Sequence, residues 1–442
     1  MFYIVEKESK LVSLENFIRV GCFIHVISSN DFYHPKLTET TAVYIRMINS
    51  KHGFIIPINH NDGLNVDKER VYKILNKAQV IYTLNKKELL YHFNIQKAID
   101  ISLLYSMTSY NKLEYEKSLS TIDWYYNRFA DNKNINSIIP ITKLYEKYEI
   151  IYESIKDIFN NIKIPEGFDF YNKIATNVFF LIEQSGLGIY YDAFDKIFKP
   201  RNLLFNTKDN KVFTSYNLYN STSRPTNTFN SVNFAAIPKD ESYRKCFKPQ
   251  NDFFVEFDFD GYHLRLLAEQ LDYSLTEEPA HKQLAKQYFN KQEITDEEYT
   301  KAKQINFHAI YGKIPKEHKD LKIFKEIQEY IDAMWSSFTE TGYVWNTQSG
   351  KHFTQELKDM HPAKLMNYMM QSLETSNNII ILKDILEYLK DKKTFITLYT
   401  YDAILFDFSK EDKVEVLENI QKIMEKTGKY PVKFKYSNNL VL

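Results

Sequence analysis

The sequence predicts an α+β chain, and three observations carry that expectation. Short apolar runs of strand character crowd the first 130 residues. A stretch with helical spacing fills the middle. Beyond residue 220, two strands that end in aspartate bracket a long helix.

In residues 1–130, Gly21–Ile27 is a short apolar strand candidate, and Thr41–Ile48 and Gly53–Ile58 alternate or run apolar like a hairpin. Lys68–Lys77 and Lys86–Phe93 carry helical spacing, so this region reads as α/β. Residues 131–220 form a second part. Ile139–Phe159 repeats apolar residues at helix spacing, Asn177–Gln184 is a shorter stripe closed by Gly186, and Asn202–Asn220 is polar and turn-rich. Residues 221–442 are the third part.

The chain has 442 residues, enough for two or three domains, and 44% of them are hydrophobic and 15% aromatic. That composition excludes a disordered chain. Lys+Arg and Asp+Glu both number 57, so net charge lends no support to nucleic-acid binding and any basic surface must be local. The two cysteines, Cys22 and Cys246, have no metal-ligand spacing and suggest a reducing compartment. The start MFYIVEKESK lacks a signal-peptide pattern, and no apolar run reaches about 18 residues. A cytoplasmic protein without a membrane span is therefore expected (host-cell cytoplasm for a viral source).

Three elements carry chemistry. In Phe253–Gly261 an apolar strand ends in acids, Asp258 among them, and a helix is expected over Tyr262–Leu271. An aspartate at the end of a buried strand offers a hard oxygen ligand; the plainer reading is a cap on the following helix. In Thr397–Phe406 two apolar strands flank a tight turn at Tyr401-Asp402. Such a hairpin can bring Asp402 to a carboxylate on a neighbouring strand, and two such carboxylates are what a two-metal site needs. The plainer reading is an ordinary turn aspartate. Between them runs Thr295–Gly312, with a capping box at Thr295 and Glu298 and Gly312 at its C-terminal end. Tyr299, Lys303, Phe307 and Tyr311 step by four along it. One face then presents a cation for phosphates and rings for a sugar and a base, unless the stripe is simply aromatic core.

In this order the elements resemble the family A (DNA polymerase I-like) DNA polymerases. Asp258 and Arg265 match the family's Asp followed seven residues later by Arg, and Lys303, Asn306, Phe307, Tyr311 and Gly312 match its fingers helix. Tyr401-Asp402-Ala403 stands at its His-Asp-Glu. Thr222-Ser223-Arg224 is similar to its Thr-Gly-Arg, whose arginine reaches the minor groove at the primer end. Asn233–Pro238 is similar to its Asn-Leu-Gln-Asn-Ile-Pro, and His281 stands where it has a phosphate-contacting histidine. Asn367 and Gln371 match its minor-groove Asn-x-x-x-Gln. The resemblance implies a right-hand polymerase fold of palm, fingers and reduced thumb, a monomer acting on primer–template DNA and dNTPs. It implies Asp258 and Asp402 as catalytic ligands of two Mg²⁺ ions (Mn²⁺ may substitute). By the same resemblance, Lys303, Phe307, Tyr311, His263 and His281 are expected to bind the nucleotide, and Arg224, Asn367 and Gln371 to contact DNA.

Four positions depart from the family. Tyr299 and Ala363 replace arginines, with Lys364 beside the latter, and Ala403 replaces the glutamate after the second aspartate. His263 replaces the glutamate that crowds a ribose 2′-OH. The N-terminal part resembles, more faintly, the family's RNase H-like 3′–5′ exonuclease domain. Its Asp-x-Glu opening falls on His25-Val26-Ile27, which has no acid, and Asp100 reads as a surface acid. An inactive scaffold without proofreading is expected. The rival expectations are a single-subunit RNA polymerase, for which His263 leaves room, and a catalytically impaired DNA-binding replication scaffold.

Overall fold

The structure, a computed structural model, describes residues 1–63, 65–115, 119–129, 132–161, 163–198, 207–228, 232–311 and 314–442. The chain divides into two compact units. The first comprises residues 1–184, 198–219 and 227–232, and the second comprises 185–197, 220–226 and 233–442.

The first unit is built on a six-stranded sheet of β1 (Phe2–Ile4), β2 (Cys22–Ser28), β3 (Thr40–Met47), β4 (Gly53–Pro57), β5 (Ile81–Thr83) and β6 (Ile99–Asp100), in the order β1-β4-β3-β2-β5-β6. The strands β2, β3 and β4 form an antiparallel meander, while β5 and β6 continue it in parallel. The long apolar runs of β2 and β3 follow from cover on both faces, which buries β3 along its whole length. One face packs with helices α1 (Glu8–Phe17) and α2 (Lys68–Leu75) around Leu14, Ile24, Val43, Ile56 and Val71. Each such side chain contributes about 1.5–3 kcal/mol on burial. The helix α3 (Lys86–His92) is capped by Asn85, and α4 (Ile101–Ser109) by Asp100. Helix α5 (Ile141–Asn161) lies along the other face, where Tyr148 stacks on His25 at 4.4 Å between ring centroids and Tyr44 donates to Glu149 at 2.6 Å. The expected stripe over 177–184 is α6 (Thr176–Glu183), preceded by a π-helical turn at Phe170–Ala175.

Asp100 is not a surface acid. It is buried, accepting at 2.9 Å from the backbone N–H groups of Lys86 and Leu103 and from the Tyr219 hydroxyl. A helix cap turned inward must find donors inside the protein, and these three supply them.

The second unit is centred on a four-stranded antiparallel sheet. In chain order its strands are β7 (Phe253–Phe259), then, after a separate hairpin of β8 (Tyr343–Asn346) and β9 (Lys351–Thr354), β10 (Phe395–Thr400), β11 (Ala403–Phe408) and β12 (Val432–Ser437). The sheet order is β10-β11-β7-β12, which places β7 in the interior. The helices are α7 (Tyr262–Gln270), α8 (Ala280–Phe289), α9 (Asp296–Ile310), α10 (Lys322–Thr341), α11 (Pro362–Tyr388) and α12 (Glu415–Glu425). The capping box expected at Thr295 and Glu298 starts α9, whose C-cap is Tyr311; Gly312 lies outside the described residues. Arg265 on α7 is buried and clamps a turn, donating at 3.0 Å to the carbonyls of Asp260, Thr276 and Glu278. No helix of the described residues is long and apolar enough to cross a membrane.

Candidate active site

The strand register brings the two sequence-predicted aspartates together. Asp258 faces Ala403 across the β7–β11 pair and Lys433 across the β7–β12 pair. Thr400 pairs with Ala403, so Tyr401 and Asp402 form the two-residue loop between β10 and β11. The N–H of Phe259 donates to the Asp402 carbonyl at 3.1 Å, tying the hairpin tip to the strand that carries Asp258. A tight hairpin loop favours a left-handed first residue. Tyr401 adopts that conformation with φ 65°, and the guanidinium of Arg224 covers its ring at 3.8 Å. A cation over an aromatic face offsets the cost of holding a bulky residue left-handed.

Asp258 does not cap the helix that follows. The N-cap of α7 is Gly261, with φ 60°, where a Cβ would come within 3.0 Å of the Ala280 Cβ. Both aspartates face solvent, and among the described residues no other residue donates a hydrogen bond to either carboxylate. Enclosure by surrounding protein pushes the Asp258 carboxyl up to about 6, helped by the charges of Asp402 and Glu256 against those of Lys435 and Lys433. Asp402 is raised by the same enclosure and by Glu374, against His263 and Arg224. A cavity of about 300 Å³ opens on the pair, lined among others by Phe234, Ile237, Glu256 and Thr400.

Two neighbouring anions with uncommitted oxygens fit a hard divalent cation, because it relieves their repulsion. No cluster of three or more His, Cys, Asp or Glu able to hold a metal occurs among the described residues. Most coordination positions of such a cation would therefore fall to oxygens from outside the protein.

The aromatic stripe on α9 is not core. The buried face of that helix is Ala302, Ile305, Asn306, Ala309 and Ile310, whereas Lys303 is exposed and Phe307 is 58% exposed. Tyr311 meets Phe307 edge-on at 5.0 Å, and its hydroxyl lies 2.9 Å from His263 Nδ1. His281 is held by the Asn306 side-chain amide, 2.9 Å from its Nδ1. Burial lowers its pKa to about 4, so at neutral pH it offers a hydrogen bond and not a charge; Lys303 is the cation.

The DNA-contact candidates form one chain of contacts. The Thr222 hydroxyl donates to Gln371 Oε1 at 3.2 Å, and Gln371 Nε2 donates to Asn367 Oδ1 at 3.0 Å. Arg224 Nη2 donates to Glu374 Oε1 at 3.3 Å. Sequence reasoning missed Glu374, together with Lys433 and Lys435 beside Asp258 and Glu256. The lysines left a signal, alternating positions on one strand. Glu374 left a fainter one, as the only charged residue between Lys364 and Lys383.

Two comparisons bear on this arrangement. The family model for DNA polymerase family A matches residues 192–440. The fold resembles the POL domain of Pol1 from M. smegmatis, in complex with DNA primer–template and dNTP. The TM-score is 0.70 and the identity 12%, over 100% of this chain and 99% of that one. The match to the family model spans more than half of the chain, including both aspartates and the α9 helix. The chain belongs to DNA polymerase family A, the DNA-directed DNA polymerases.

Proposed function

We propose that this DNA polymerase extends a primer 3′-hydroxyl with dNTPs on a DNA template through Asp258 and Asp402. The observation that carries the reading is the strand-to-strand placement of these two carboxylates, both with uncommitted oxygens. They would hold two Mg²⁺ ions, which supply activation of the attacking hydroxyl and neutralisation of the leaving pyrophosphate.

The remaining steps belong to the chain's own side chains. Lys303 places a positive charge on the exposed face of α9, suited to the triphosphate, and neutral His281 donates to a phosphate oxygen through Nε2–H. Phe307 packs against the sugar, and Tyr311 closes the site of the incoming base pair. His263, held to Tyr311, crowds a 2′-hydroxyl and favours dNTPs over rNTPs. Arg224, Asn367 and Gln371 read the minor groove at the primer end. Residues 1–130, within the first unit, are an inactive exonuclease-like scaffold. Its meander extended by two parallel strands supports that reading, and the engagement of Asp31 and Asp100 by protein donors supports inactivity.

Primer extension with Mg²⁺ tests the reading. Asp258→Asn and Asp402→Asn should each fold and retain less than about one-hundredth of the incorporation rate, since each removes an anionic ligand. Extension by either variant within about tenfold of wild type would overturn the assignment.

A further inference from the structure

The side chain that sequence reasoning missed joins three parts of the site. Glu374 on α11 is 1% exposed. A buried carboxylate is strongly disfavoured unless it is matched, so its partners define its role. Arg224 Nε lies 2.9 Å from Oε2, and His263 Nε2 lies 3.2 Å from Oε1. The same Arg224 covers the ring of Tyr401, next to Asp402, and the other nitrogen of His263 meets the Tyr311 hydroxyl. One carboxylate thus connects the 222–224 loop, α7 and, through His263, the end of α9.

We propose that Glu374 is the positioning residue for sugar selection, fixing the His263 ring against Tyr311. His263 Nε2 stands at ion-pair distance from Glu374 Oε1 without the alignment of a hydrogen bond, and because a carboxylate only accepts, the contact favours a proton on that nitrogen. In the Nε2–H tautomer, Nδ1 accepts from the Tyr311 hydroxyl, and the two contacts together orient the ring. Arg224 alone does not need this arrangement, because its guanidinium spans both carboxylate oxygens. The inference rests on the reading that His263 and Tyr311 together exclude the 2′-hydroxyl.

The test measures kcat and KM for dCTP and CTP opposite template G in wild type, Glu374→Leu, His263→Ala and the double variant. Leucine removes both acceptor oxygens at similar volume. The expected result is a fall of at least about tenfold in the dCTP:CTP ratio of kcat/KM for Glu374→Leu, with no further fall in the double variant. A purely structural role lowers both substrates together and leaves the ratio unchanged, and that outcome overturns the proposal. An unchanged ratio in His263→Ala overturns the sugar reading, and the role of Glu374 with it. A reduced ratio in His263→Ala beside an unchanged one in Glu374→Leu overturns the role of Glu374 alone. Should Glu374→Leu fail to fold, ¹⁵N NMR of histidine-labelled wild type decides, with the His263 resonance assigned by its loss in His263→Ala. Protonated Nε2 with bare Nδ1 is expected, and the opposite tautomer overturns the proposal.

Discussion

Each unit of this chain brings carboxylates together, and the protein engages the oxygens of the two groups differently. In the first unit, Asp31 accepts from Lys147 at 2.9 Å, from Asn136 at 2.8 Å and from the Tyr126 hydroxyl at 3.1 Å. Enclosure raises its pKa, but the Lys147 charge and these bonds outweigh it, and the net shift is downward. Asp100 is occupied by three donors, and Glu183 by Lys87 and the Tyr216 N–H. Burial, then the charge of Asp31, pushes Glu88 up to about 8, so at neutral pH it carries a proton instead of a charge. In the second unit, Asp258 and Asp402 receive no such donors, and both are shifted upward, Asp258 by enclosure and then Asp402, and Asp402 by enclosure and then Glu374. Proximity is common to both groups, but Asp31, Asp100 and Glu183 have their oxygens engaged by protein donors and Glu88 is neutralised by burial, whereas Asp258 and Asp402 face solvent with theirs uncommitted.

The largest effect that could break this comparison is catalytic. Asp258→Asn should abolish incorporation, whereas Asp31→Asn in the first unit should leave its rate within about twofold, because that acid serves only internal partners. Labelled single-stranded DNA incubated with Mg²⁺ or Mn²⁺ should likewise keep its 3′ end. Shortening that persists in Asp402→Asn would reveal a nuclease site and end the reading of the first unit as inactive.

The next effect is on stability. Lys147 is the cation matched to Asp31, and its side chain is 10% exposed while that of Asp31 is 36% exposed. Removing one partner of a fully buried pair costs about 3–5 kcal/mol. With one member reaching solvent, Lys147→Met should cost about 1–3 kcal/mol in urea unfolding, with kcat for dNTP incorporation unchanged. A variant as stable as wild type would mean that the ammonium is not what neutralises this cluster.

Much of the second unit was legible because its signals are local. A run of apolar residues ending in acid, a period of four on a helix, and a capping box are each contained within about 20 residues. The structure turned the stripe of α9 outward because Ala302, Ile305, Ala309 and Ile310 are the residues that fill the core. What stayed hidden depends on distant partners. Asp100 is buried because Tyr219 donates to it across 119 residues, and Glu374 acquires its role from Arg224, 150 residues away. A single acidic residue carries no period and no spacing, so its partners can only be read from the fold. The same holds for Asn306, whose pairing with His281 spans 25 residues and fixes the imidazole that the sequence marked only by position.

The smallest effect follows from the raised carboxyl of Asp258. Its folded value of about 6 lies above the ordinary aspartate value of ~3.9, so the folded state binds this proton more tightly than the unfolded chain. The associated stability is fully present below about pH 4 and is lost as pH rises through about 6. At pH 7 and without divalent metal, the ionised side chain is therefore a cost to the fold. A shift of this size would correspond to about 3 kcal/mol for a group sealed from water, and solvent access reduces that to about 1 kcal/mol. Asp258→Asn, which cannot ionise, should be more stable than wild type by about that amount at pH 7 in EDTA, and the two should converge near pH 4. Millimolar Mg²⁺ should reverse the order, because a ligand that binds only the folded wild type stabilises it by mass action. The measurement is the urea midpoint of both proteins at pH 4, 5.5 and 7, with EDTA and with Mg²⁺. A variant no more stable than wild type at pH 7 in EDTA would show that the oxygens of Asp258 are engaged by the protein after all, and would remove the contrast between the two groups of acids.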